Sequence, residues 1–172
     1  GGGWGWATGA PGGPEPGTRG LASYVLGQGQ ITLLLTSGMG PDDLITQCCH
    51  QHGDGVRRVS LRVPDVQAAF DEAVKRGGVP LEEPRFGEDA NGRAGSASIH
   101  LYGDVLLGFV ERKDYHGAYW PWFEAVPKAP TRVDGLGVAS IAHTGGNVTL
   151  AKLTAWVVWF QKCTHLQRLP DF

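Results

Sequence analysis

The sequence predicts an α+β chain in which a β-α-β-β-β unit is used more than once. Three observations carry this expectation. The segment "VRRVSLRV" (56–63) alternates apolar and polar residues with period two, and an amphipathic helix pattern follows it at once. Three strand-like segments come next, ending near Arg112. After an aromatic connection the pattern restarts at Gly137.

Taken in order, "WGWATGAPGGPEPG" near the start is glycine- and proline-rich and could pass for a linker. "ASYVLGQGQITLLLTSG", from Ala22 to Gly38, has two apolar runs around Gly27-Gln28-Gly29, which signals a hairpin. "PDDLITQCCHQHGDG", from Pro41 to Gly55, predicts a short helix ending near His52-Gly53. In the β-α-β-β-β unit, Val59, Leu61 and Val63 mark one face of a half-buried strand. Asp65 is placed to cap a helix whose Val66, Ala69, Phe70, Ala73 and Val74 share a face. Lys75 and Arg76 suit its C-terminal dipole, and Gly77 can take a left-handed cap. Strands follow near "VPLEE", in "GRAGSASIHLYG" with Ala97, Ile99 and Leu101 on one face, and in "DVLLGFVER", apolar on both faces.

From Lys113 to Gly135 the chain is aperiodic, and Tyr115, Tyr119, Trp120, Trp122 and Phe123 are the expected anchors of a surface connection. A strand "GVASIAH" and a helix "LAKLTAWVVWFQKC" are expected after it. This restart can be laid on the earlier unit: Val59 meets Ile141, Leu61 meets His143, Asp65 meets Asn147 and Val66 meets Val148. His143 therefore takes the place of an inward-facing leucine, where a polar group needs a partner.

Composition narrows the function classes. The 172 residues suffice for one ordinary domain or two small modules. Net charge is −2 with scattered basic residues, which argues against nucleic acid or an anionic membrane surface as partner. No apolar run reaches the roughly 18 residues of a membrane span, and no signal-peptide pattern opens the chain. Adjacent Cys48 and Cys49 with a distant Cys163 form no disulfide framework, so a reducing cytoplasm is expected.

The histidines and cysteines offer several decoys. "CCHQH" gathers Cys48, Cys49, His50 and His52, but structural zinc sites use wider spacings, and helical neighbours at i and i+1 point apart. A solvated helix end is the expectation there. His100 alternates with Ser96 and Ser98 on a polar strand face, while His116 and His165 fall in connections. The tryptophans read as packing anchors, since no basic groove accompanies them.

"GPEPGTRGLASYVLGQG", "HGDGV", "RVPDVQAAFDEAVKRG", "LYGD", "YHGAYWPWFEAV" and "IAHTGGNV" together resemble the 4-hydroxyphenylpyruvate dioxygenase family, in its order and near its spacing. The resemblance covers nearly the whole chain. It implies the vicinal-oxygen-chelate fold, with repeated βαβββ modules and curved mixed sheets, truncated here at both ends. The glycine-rich opening then becomes a diverged strand and turn. Residues 1–112 would be the N-terminal structural domain, with a second module at about 54–112. Residues 113–136 would be a linker, and 137–172 the first strand and helix of the catalytic domain.

The family holds non-haem iron(II) on two histidines and a glutamate. The first histidine lies in a segment resembling "IDHxVGN", so that role carries over to His143 in "IAHTGGN". Ala142 and Gly145 stand where the family has aspartate and valine. The other two ligands, and the groups that touch substrate, are expected beyond residue 172. The implied reaction turns 4-hydroxyphenylpyruvate and dioxygen into homogentisate and carbon dioxide, in tyrosine catabolism. The partners implied are an aromatic α-keto acid, dioxygen and, for the full-length enzyme, further copies of itself. The 172 residues alone are expected to be inactive, and to be poorly soluble or self-associate through exposed sheet edges and unmatched apolar faces. A 4-hydroxymandelate synthase, a non-catalytic small-ligand binder of the same fold and a scaffold or subunit-contact piece are the competing readings.

Overall fold

The computed structural model describes residues 5–9, 21–126 and 137–169. The chain divides into two compact units that alternate along the sequence. One takes residues up to Gly55, Asp89–Gly92 and Tyr115–Thr144; the other takes Val56–Glu88, Arg93–Asp114 and the residues from Gly145 on.

The second unit is the β-α-β-β-β arrangement expected. Strand β4 (Arg58–Arg62) leads into helix α2 (Val66–Lys75), then β5 (Pro80–Asp89), β6 (Gly92–His100) and β7 (Leu106–Glu111). The strands lie in the order β4-β7-β6-β5. β4 runs parallel to β7, and β6 antiparallel to it. A parallel neighbour needs a crossover, which α2 provides. The Asp65 side chain accepts the Ala68 N–H at 2.9 Å, and Glu111 on β7 accepts the Val66 N–H at 2.9 Å. Two carboxylates thus satisfy free N–H groups of the first turn, where the helix dipole favours negative charge. Val66, Phe70 and Ala73 on α2 join Ala97, Ile99, Leu101, Leu107 and Phe109 in one buried cluster. Spacings of 4 and 7 on the helix and 2 on the strands put all of them on facing surfaces.

The opposite face of this sheet is polar. Arg58 donates to Glu82 Oε2 at 2.8 Å, and to Ser96 Oγ and the Ala97 carbonyl at 2.9 Å each. Ser98 Oγ donates to the same Glu82 oxygen at 2.7 Å. Helix α3 (Leu153–Thr164) follows a short 3₁₀ turn at Leu150–Lys152 and packs on α2. Its Trp156, Trp159 and Phe160 pack against the cluster around α2, and Tyr102 meets Trp156 edge-on at 5.6 Å. The Cys163 thiol lies 3.5 Å from the Arg76 carbonyl, and burial pushes its pKa up.

The first unit holds a sheet in the order β3-β2-β1-β8. Its strands are β1 (Gly5–Gly9), β2 (Leu21–Gln28), β3 (Ile31–Gly38) and β8 (Phe123–Val126). The hairpin turns at Gly29-Gln30, one residue later than the glycines suggest, with Gly29 at φ 58. β1 confirms a strand inside the glycine-rich opening; the rest of that stretch, residues 10–20, lies outside the described residues. Helix α1 (Leu44–His52) is capped by Asp43 and ends at Gly53, at φ 74.

Two expectations are corrected. The aromatic connection contains a strand, β8, which pairs with β1. Four residues beside Pro121 show no readable period; the neighbour strand supplies what local pattern does not. The segment 137–143 forms no strand, and His143 is exposed rather than inward-facing. Among the described residues, no strand lies beside it to complete a ladder; its contact is a Gln30 N–H to the Ala139 carbonyl at 2.8 Å. An alternating pattern cannot become a strand without such a neighbour.

Candidate functional site

His143 lies in a stretch without regular structure from Gly137 to Thr149, ahead of the turn that starts α3. The residues from Ser140 to Asn147 are exposed. Gly145 has open space where a Cβ would sit, whereas a Cβ on Gly146 would run into the Tyr102 ring and hydroxyl. The turn "TGGN" is therefore free at its first glycine and pressed on Tyr102 at its second. Tyr102 is held in turn by Trp156 and Phe160 of α3. His143 offers one imidazole to solvent. Among the described residues no three His, Cys, Asp or Glu side chains converge to hold a metal ion. This donor set does not by itself fit an iron(II) centre, which takes two histidines and a carboxylate.

"CCHQH" is placed as expected, at the exposed end of α1, a helix that buries none of its residues. Cys49, His50, Thr46 and Asp54 border an open hollow of about 300 Å³ with Ser37 and Gly38. Cys48 and Cys49 are free thiols. Asp43, which caps α1, is held below the usual carboxylate range by N–H groups of Thr46 and Gly40. His100, His116 and His165 are all exposed.

Sequence reasoning missed the role of Asp89. At the β5–β6 hairpin tip its carboxylate accepts the Asn91 N–H at 2.7 Å, the Tyr115 hydroxyl at 3.1 Å and the Trp122 N–H at 3.3 Å. These bonds, that from Asn91 foremost, hold its pKa below the usual range. Tyr115, Trp120 and Phe123 are buried as anchors, while Trp122 is exposed with φ 74. The left-handed backbone at a tryptophan is an unfavourable conformation that the Asp89 contact helps to hold. The "D-x-N" at Asp89 was the one signal available for this tie.

No family model matches the chain. It is 32% identical over 161 residues to a 4-hydroxyphenylpyruvate dioxygenase of Dictyostelium discoideum, covering 91% of this chain and 44% of that protein. It is 30% identical over 164 residues to a Tetrahymena thermophila protein of the same name, covering 91% of this chain and 41% of the relative. The chain thus spans less than half the length of these curated relatives. Among solved structures, a mutant 4-hydroxymandelate synthase from Streptomyces coelicolor superposes with a TM-score of 0.76, at 21% identity over 96% of this chain and 46% of its own.

Proposed function

We propose, from a chain related along nine-tenths of its length to the 4-hydroxyphenylpyruvate dioxygenases and built on the vicinal-oxygen-chelate fold, that it serves such an enzyme as scaffold and first iron ligand. In this reading residues 1–112 are the structural domain, 113–136 the linker and 137–172 the opening of the catalytic domain. His143 is one of three iron(II) ligands, in neutral form so that its lone pair is free. The remaining two come from residues other than these 172. The reaction served is conversion of 4-hydroxyphenylpyruvate and dioxygen to homogentisate and carbon dioxide. The working protein is a cytoplasmic homo-oligomer. Three free cysteines support the compartment, and no described helix is long and apolar enough to cross a membrane.

The observation that carries the reading is a match at 32% identity that covers 91% of the chain. The purified 172-residue chain, given iron(II), ascorbate and 4-hydroxyphenylpyruvate in air, is expected to release no homogentisate by chromatography. Joined in frame to the remaining residues of the Dictyostelium relative, it is expected to turn substrate over, and His143→Ala in that chimera to abolish turnover. Homogentisate from the short chain, or an active His143→Ala chimera, sinks the assignment.

A further inference from the structure

We propose that the polar face of the second unit's sheet is a guanidinium site, built by Glu82, Ser96, Ser98 and the Ala97 carbonyl beside Gly108, and filled from within the chain by Arg58. Arg58 stands on β4 and Glu82 on β5, the two edges of the sheet in the order β4-β7-β6-β5. Three strand spacings, about 14 Å, separate these edges. Two upright side chains would not meet across that span. Both therefore lie along the sheet, and they join at 2.8 Å. The junction falls over β6, where Nη2 of Arg58 donates to Ser96 Oγ and to the Ala97 carbonyl at 2.9 Å each.

The acceptors match the shape of their occupant. Nη1 donates to a carboxylate oxygen, and Nη2 to a hydroxyl and a backbone carbonyl. A compact ammonium presents no such planar fork. Ser98, fully buried, donates to the same Glu82 oxygen at 2.7 Å, so a second group besides Arg58 holds that carboxylate in place. β7 clears the path between the edges. Gly108 lies opposite Ser60 on β4 and Ser98 on β6, and a Cβ on it would come within 2.5 Å of Arg58 Nε and of Ser60 Oγ. An ordinary surface ion pair is worth little and needs neither a glycine beside it nor a buried hydroxyl behind it. This one has both, with the side chains of Arg58 and Glu82 only 29% and 37% exposed. A small-ligand binder would need an open polar face of this kind. Here the chain covers its own, and the face takes an alkylguanidinium only once Arg58 is cut back.

This assignment does not rest on the catalytic reading. Arg58→Ala removes the atoms of ethylguanidinium, so that cation is the probe, titrated into the 172-residue chain while the Ala97 and Gly108 amide resonances are followed. Arg58→Ala with wild-type circular dichroism should show a saturable shift at millimolar ethylguanidinium, and little response to ethylammonium. Adding Glu82→Gln to that variant should weaken binding about tenfold or more. The wild-type chain should show no such shift, and its Arg58 Nη–H signals should be resolved and slow to exchange with water. No saturable shift in Arg58→Ala, an equal response to ethylammonium, an unweakened double variant, or wild-type binding as tight as that of Arg58→Ala would each overturn the proposal. Should Arg58→Ala fail to fold, the wild-type Nη–H signals decide: resolved signals support the site, and averaged, fast-exchanging ones overturn it.

Discussion

Phe70→Ala is expected to destabilise the second unit by about 3–5 kcal/mol, the usual cost of emptying a buried aromatic site. Phe70 is 7% exposed at the centre of α2 and belongs to the cluster with Ile99, Leu107 and Phe109. Strands on one side and a capped helix on the other leave little freedom to close the hole, so the cavity adds to the lost transfer energy. In a chain of this size the loss corresponds to a fall in melting temperature on the order of 10 °C. Urea unfolding followed by far-ultraviolet circular dichroism measures it directly. A change below about 1 kcal/mol would mean that α2 against β6 and β7 is not the principal core.

Gly78→Ala is expected to cost about 1–3 kcal/mol, while Gly145→Ala stays within about 0.5 kcal/mol of wild type. A Cβ at Gly78 would lie 2.9 Å from the Ala73 carbonyl oxygen and 3.0 Å from Ile99 Cδ1. Relief by backbone movement is costly, because the Gly78 N–H also donates to that carbonyl at 2.9 Å. The new methyl therefore opposes the hydrogen bond that ends α2. Gly145 meets nothing within 4 Å. The two substitutions are chemically identical, so the difference between their melting temperatures isolates the steric effect. Equal melting temperatures would contradict the close approach at Gly78.

These expectations concern the part of the fold most legible in the sequence. From Val59 to Glu111 the signals are local: alternation, an Asp65 cap, i and i+4 apolar positions, and a glycine at φ 102 after the helix. Each acts within a few residues, and all agree. β8 escaped notice because its pairing partner is more than a hundred residues away in sequence. The strand expected over 137–143 failed for the complementary reason, a good pattern with no strand beside it. Of the candidate site, the position of His143 was readable but its exposure was not, since alternation predicts a facing side only when a sheet exists to define one.

The pairing of β1 with β8 also fixes an order of events during synthesis. β1 spans Gly5–Gly9, and its partner at Phe123–Val126 leaves the ribosome only after every strand of the second unit. At ~5–20 residues per second the delay is on the order of ten seconds. The four strands β4 to β7 and their crossover helix are complete in one uninterrupted stretch and can close while the first sheet is still one strand short. The later unit in sequence is therefore the earlier to mature, and β1, paired with β2 on one side, keeps its other edge open until β8 arrives. Hydrogen exchange on ribosome-bound nascent chains stalled before Phe123 emerges would record it as protection of β6 and β7 amides while the β1 edge that pairs with β8 stays unprotected.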